Sequence, residues 1–288
     1  MGRARTHSIA IMSKRPSKSR RAGRSLADRA DPHVLYQRAV QSVDVEIDFI
    51  DRTFRRLRGR LPNSIREDFC GTANSSCEFV RRRPGNRAIG VDLHPETLAW
   101  GIEHNVARLR GAARERIELV CGDVRHVRTN AVDAVLAMNF SYCIFKTRRD
   151  LVEYFKAAKR ALRPKGLLFL DAYGGYDAFR VCRDRRSIGR GITYIWDQES
   201  YNPITSEAVC HIHFAFADGS RLRRAFTYHW RVWTIAEIRE ALADAGFRRS
   251  TPYWEGWDEK AWEGDGNFKP ATTAEADAGW IAYVVAEA

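Results

Sequence analysis

The stretch SIREDFCGTANSSCEFV, residues 64–80, sets two carboxylates against a turn of small residues and then runs into a helix. Cys70-Gly71-Thr72-Ala73 carries little bulk, so its backbone N–H groups can approach a bound group closely. Glu67 and Asp68, immediately before the turn, favour a polar ligand that is hydroxylated or cationic. The same residues also describe an ordinary strand-to-helix turn with a Thr or Asn cap. The surrounding pattern has to separate the two readings.

That pattern is alternation. RAIGVDL (87–93) reads as a strand, and HPETLAWGIEHNVARLR (94–110) as a helix with Pro95 in its first turn. RIELVCGDV (116–124) and AVDAVLAMNF (131–140) are two further strands. TRRDLVEYFKAAKRAL (147–162) is amphipathic, and GLLFLDAYGG (166–175) is apolar on both faces, as suits a central parallel strand. Repeated β-α units of this length predict an α/β fold, a doubly wound, mainly parallel seven-stranded sheet of Rossmann-like type. After Gly175 the period drops to two, and Asp218-Gly219 marks a hairpin, which predicts an antiparallel insert over 176–233. Thr234 with Glu237 three residues on opens another helix. Two last strands follow, RSTPYWEGW (249–257) and GWIAYVVAEA (279–288), with a mobile polar loop between them. Upstream, Leu35, Ala39, Val43, Ile47, Ile50 and Phe54 recur at helical spacing and predict one helix over 31–60, ending near Gly59.

Charge divides the chain. Nine Lys or Arg against Asp28 give residues 1–30 a surplus of eight, leaving four of the twelve net positive charges to the other 258 residues. This Ser- and Arg-rich segment is expected to be a disordered basic tail preceding a domain over 31–288. A weak polyanion-binding arm, an organelle presequence and an extension without a role are all compatible with it. No run approaches the length of a membrane span. The six cysteines are spread out with no C-x-x-C pair, which reads as reduced thiols of a cytoplasmic protein. No metal is expected: along a strand, Cys210 faces away from His211 and His213.

In its order of elements and motifs, the region 31–288 resembles the class I S-adenosylmethionine-dependent methyltransferases. Their first strand ends in an acid and a small-residue turn, D-x-G-x-G-x-G or a form ending in C-G-T-G. Aligned through Cys70-Gly71-Thr72, Glu67 takes the acid position, with Asp68 as the other carboxylate that can face the ligand. Phe69 and Ala73 stand where two glycines are usual. The resemblance implies that Asp92 binds the ribose, Leu93 and His94 flank the adenine, Asp123 meets its amino group and Val124 lies beside the ring. Asn139, on the fourth-strand end AMNFSY, would meet the methionine part of S-adenosylmethionine. The first helix and the insert resemble lids, with Tyr36 and Gln41 reaching the cofactor.

Methyl transfer from a sulfonium is an in-line displacement that needs alignment, exclusion of water and sometimes a base. The stretch Asn139-Phe140-Ser141-Tyr142 lacks the prolines of the motif used by methyltransferases of nucleic-acid amino groups, which argues against a base as substrate. A small-molecule N- or O-methyltransferase is therefore expected. The alternatives are an enzyme modifying nucleic acid or protein, tethered by its tail, and a cofactor-binding regulator. Tyr142 and His229 are the candidate catalytic residues. Tyr173, Tyr176, Trp230, Trp254 and Trp257 are candidates for substrate contact, as an aromatic cage suited to an amine.

Overall fold

A computed structural model of the chain describes residues 24–258 and 263–288. Five strands, β1 (Ser64–Asp68), β2 (Arg87–Asp92), β3 (Ile117–Cys121), β4 (Val132–Ala137) and β5 (Leu162–Gly174), form the parallel part of the main sheet. Three more, β10 (Arg249–Asp258), β11 (Glu263–Pro270) and β12 (Trp280–Glu287), complete it in the order β11-β10-β12-β5-β4-β1-β2-β3. β12 runs antiparallel to both β5 and β10. The predicted sheet thus gains an eighth strand: β11 falls inside the stretch expected to be a polar loop and pairs antiparallel with β10. The order reverses between β1 and β4, and in doubly wound sheets the cleft at such a reversal is where ligands bind.

Helices cover both faces. On one, Ile47, Phe49, Ile50 and Phe54 of α3 (Val43–Arg58) and Phe79 and Val80 of α4 (Asn74–Arg82) pack on the sheet. On the other lie Leu151, Tyr154 and Phe155 of α6 (Arg148–Arg160) with Ile238 and Leu242 of α7 (Ile235–Asp244). The capping box of Thr234 and Glu237 is made as expected. β1 is buried at every position despite the sequence Ser-Ile-Arg-Glu-Asp. Arg66 and Asp68 share one face of it and pair at 2.6 Å, and Arg66 also donates to the Val124 carbonyl at 2.8 Å. A buried polar strand survives because its charges are mutually satisfied.

The predicted insert is a separate four-stranded antiparallel sheet of β6 (Cys182–Ser187), β7 (Ile192–Asn202), β8 (Glu207–Phe216) and β9 (Arg221–Arg231). The single helix expected over 31–60 is two: α2 (Pro32–Val40) and α3, with Gln41 and Ser42 in non-helical conformations between them. The break lets one chain serve two partners. Leu35 and Ala39 pack on Ile212 and Phe214 of the insert, while α3 packs on the main sheet.

The described part of the expected tail is also ordered. Leu26–Arg29 form the one-turn helix α1, capped by Ser25, and its Leu26 and Ala27 N–H groups donate to Asp218 and Ser220 at the β8–β9 hairpin. Residues 1–23 lie outside the described residues. Among the described residues no helix is long and apolar enough to cross a membrane.

Candidate active site

The turn after β1 keeps a glycine-type backbone without the glycines. Phe69, Gly71 and Ala73 all hold positive φ, at 57°, 53° and 56°. The two non-glycine residues carry the cost of a left-handed conformation, of order 1–2 kcal/mol each. A neighbour recovers part of it. Ala73 offers α4 no side-chain cap, and Glu67 supplies one instead, taking the Ser76 N–H at 2.8 Å and its hydroxyl at 2.5 Å. Burial pushes the Glu67 carboxyl up to about 7 against those bonds. Asp68 faces the other way, between Arg66 and the Tyr154 hydroxyl, and burial raises it to about 6 despite the Arg66 charge. Glu67 is therefore the acid on the turn's side.

Side-chain roles within the turn differ from the expected ones. Cys70 points into a small core with Ala73 and Leu98, so only its backbone is available to a ligand. The Thr72 hydroxyl accepts a bond from Gln37 on α2 at 2.8 Å, a contact the sequence did not signal. Gly71 is open: a methyl group built there would meet only Thr97, at 4.0 Å.

Asp92 ends β2 with one oxygen on the Gly71 N–H at 2.8 Å and the other on the His94 N–H at 2.9 Å. Each oxygen keeps a second acceptor site. Beside it Leu93 is 61% exposed, an apolar surface suited to a flat ring. Asp123, after β3, is held by Arg125 at 2.7 Å, which keeps its carboxyl below the usual range. Val124 is buried and contributes its carbonyl to Arg66. α2 lies across this row: Gln37 on Thr72, Gln41 accepting from Asn74 at 3.1 Å, and Asp31 accepting from Trp100 at 2.8 Å.

After β4 the chain makes a second strained turn. Asn139 and Phe140 both sit at positive φ, and their N–H groups donate to the two oxygens of Asp171 on β5 at 2.7 and 2.8 Å. Burial lifts Asp171 to about 7, and Glu46 on α3, also buried, rises to about 7. Neither acid was singled out in the sequence. The signal for Asp171 was a single acid inside the apolar run GLLFLDAYGG.

Beside the Asn139–Phe140 turn opens a cavity of about 1270 Å³ between the end of the main sheet and the insert. Tyr36, Asn139, Tyr173, Tyr176, Trp230 and Trp254 all line it, so six expected contacts converge. Trp230 meets Tyr228 at 4.4 Å and Trp196 at 5.9 Å between ring centroids, and Trp254 meets Trp280 at 4.9 Å. The side chain of Trp257 lies outside the described residues. A second cleft of about 810 Å³ lies between α7 and β10, away from both strained turns.

Two expected roles do not survive the geometry. Tyr142 is 1% exposed, and its hydroxyl donates to the Asp171 carbonyl at 2.7 Å, so it braces the loop rather than meeting a substrate. His229 is on the exposed face of β9, because strand alternation turns it away from Tyr228 and Trp230. The same alternation puts Cys210 on the cavity side with Gln198 and His211 on the outer side with Glu199.

Residues 68–170 match the family described as Methyltransferase domain. YqeM of Bacillus subtilis (strain 168), a protein designated a methyltransferase, is 26% identical over 185 residues, covering 62% of this chain and 71% of its own. Among solved structures, SAM-bound CalS10 is similar, an amino pentose methyltransferase from Micromonospora echinaspora involved in calicheamicin biosynthesis. It has a TM-score of 0.62, 20% identity and coverage of 88% of this chain and 95% of its own. The sugar N-methyltransferase KedS8 from Streptoalloteichus sp ATCC 53650 has a TM-score of 0.60, 18% identity and coverage of 98% and 99%. Residues 68–170, which carry the β1 turn, the Asp92 and Asp123 strand ends and the Asn139 loop, match a methyltransferase domain, the part of the chain that resembles the class I S-adenosylmethionine-dependent methyltransferases.

Proposed function

We propose that this chain transfers the methyl group of S-adenosylmethionine to nitrogen or oxygen of a small molecule held in the cavity between sheet and insert. The observation that carries the reading is the cavity. It abuts the Asn139 turn, is lined by aromatic side chains, and is large enough for a substrate beside the methionine end of a cofactor. CalS10 and KedS8, named as sugar-directed methyltransferases, favour the same class of acceptor. A nucleic-acid substrate would call for a basic groove at this place.

The residues fit the cofactor. Gly71 leaves room for close approach, Asp92 keeps free acceptor sites for ribose hydroxyls, and Leu93 offers an exposed apolar face to the adenine. Asp123 is at the strand end where the amino group would lie. Glu67 and Asp171 brace the two strained turns, taking the Ser76 N–H and the Asn139 and Phe140 N–H groups. When bound, S-adenosylmethionine supplies an electrophilic methyl on a cationic sulfur. This chain's own part is to align the acceptor through Asn139 and Phe140, to close over the site with α2, and to keep water out with the insert.

The test is the fate of label. With S-[methyl-³H]adenosylmethionine and a cell extract, counts should enter filterable small molecules. Counts confined to acid-precipitable RNA or protein would reverse the reading.

A further inference from the structure

We infer that the acceptor enters this cavity as a cation, a primary or secondary alkylammonium, and that Asp184, Glu275 and Asp277 select it. The inference rests on the cavity being the methyl-acceptor site. Lys and Arg make up 48 of the 288 residues, yet no Lys, Arg or His is among the described residues lining the cavity. Five carboxylates are: Asp177, Asp184, Glu255, Glu275 and Asp277.

Local pairing takes up part of that charge. Asp177 is bound to Arg180 at 2.7 Å, and Glu255 accepts the Gly266 N–H at 3.1 Å. Asp184, Glu275 and Asp277 form no ion pair among the described residues. Arg186, two residues on and on the same face of β6, is turned to the Tyr194 ring and the Ala39 carbonyl. The three acids come from different walls, β6 and the segment before β12, so their field converges on the space between. Behind them stand Trp196, Tyr228 and Trp230, whose ring faces attract the same charge. A carboxylate ligand is repelled at this mouth, and a neutral one gains nothing from it.

The chemistry of the interior favours nitrogen over oxygen. An alcohol needs a base to become a nucleophile, and no histidine is among the described residues lining the cavity. The Tyr142 hydroxyl is committed to Asp171. An amine needs only to shed the proton it carried in. That N–H proton passes to a mouth carboxylate or to water, and the freed lone pair forms the new N–CH₃ bond. The S–CH₃ bond breaks with its electron pair left on sulfur as a neutral thioether, and the product leaves as an N-methylammonium. Tyr173 adds a positioning group: it lines the cavity, and its buried hydroxyl has no hydrogen-bond partner among the described residues.

Three probes of one shape and different charge test the inference: benzylammonium, benzyl alcohol and benzoate. Each is titrated at fixed ionic strength into protein saturated with S-adenosylhomocysteine and followed by quenching of tryptophan fluorescence. Benzylammonium should bind about tenfold more tightly than the other two, in keeping with a desolvated cation–aromatic contact reinforced by carboxylates. The triple variant Asp184→Asn, Glu275→Gln, Asp277→Asn, all exposed positions, should erase most of that preference and leave S-adenosylhomocysteine affinity unchanged. The inference is overturned if the alcohol or benzoate binds as well as the ammonium, or if none of the three saturates, while S-adenosylhomocysteine still binds. Failure of S-adenosylhomocysteine to bind the wild-type protein would instead remove the underlying methyltransferase reading.

Discussion

Gly101→Ala perturbs the turn after β1 from behind. Gly101 sits in α5 (Pro95–His104), and a β-carbon built on it would lie 2.6 Å from the Thr72 carbonyl oxygen and 2.8 and 2.9 Å from the Thr72 backbone carbons. Ordinary contact begins near 3.4 Å, so helix and turn must part by about 0.8 Å. All three clashing atoms are backbone, and no rotamer can relieve them. Overpacking of this kind costs about 1–3 kcal/mol. Alanine in place of glycine in a helix returns about 1 kcal/mol, so the net loss of stability should be at most about 2 kcal/mol. The effect on binding should be larger. The Thr72 carbonyl also accepts the Asn105 side chain at 2.8 Å, so pushing the turn outward breaks its anchor as well. A displacement near an ångström at a site of this type costs up to about a hundredfold. Isothermal titration with S-adenosylhomocysteine, alongside a thermal melt, separates the two effects. An affinity within twofold of wild type would show that turn and helix are not coupled as the contact implies.

Three further outcomes are expected. Arg66→Leu leaves Asp68 buried beside Tyr154 without its cation, and should lower the free energy of urea unfolding by about 3–5 kcal/mol; a change under 1 kcal/mol would mean the pair is dispensable. Stability should fall from pH 5 to pH 8. Glu46, Glu67 and Asp171 have folded pKa values of about 7, raised above their usual 3.8–4.5, so the folded chain binds more protons than the unfolded one across that window. A urea midpoint that rises between those pH values would contradict the burial of these acids as carboxyls. A chain starting at Asp31 should be less stable than one starting at Arg24 by about 1–2 kcal/mol, because only the first keeps neither contact of α1 with Asp218 and Ser220; equal melting temperatures would show α1 to be decorative.

The parallel sheet was legible because helical and strand periods alternate without interruption from Ser64 to Gly175, and the insert because the period changes abruptly after it. The break at Gln41–Ser42 was not legible: the apolar residues on either side keep helical spacing, and only the packing of α2 on one sheet and α3 on another forces a corner. β11 was hidden for a related reason. Its residues Glu263–Pro270 are mostly polar or glycine, and backbone pairing with β10 rather than an apolar face makes them a strand. At the site, strand-end acids could be placed by counting along the chain. Their duties could not. Whether Asp68 or Glu67 meets the turn, and whether Tyr142 points at substrate or at the Asp171 carbonyl, depends on which side of a strand or loop each side chain leaves. His229 shows the limit most plainly, since its chemistry suits a base and its position in β9 turns it outward.

The most direct test of the central claim is calorimetric titration of S-adenosylmethionine and of NAD into the wild-type protein and into Asp92→Ala. S-adenosylmethionine should bind one per chain and in preference to NAD. The variant should lose about 1.5–3 kcal/mol, the range for hydrogen bonds to a charged group, because Asp92 holds the Gly71 N–H and is proposed to bind the ribose. NAD binding in preference to S-adenosylmethionine, or an affinity for S-adenosylmethionine that Asp92→Ala leaves unchanged, would contradict the assignment of this cleft as the methyl-donor site.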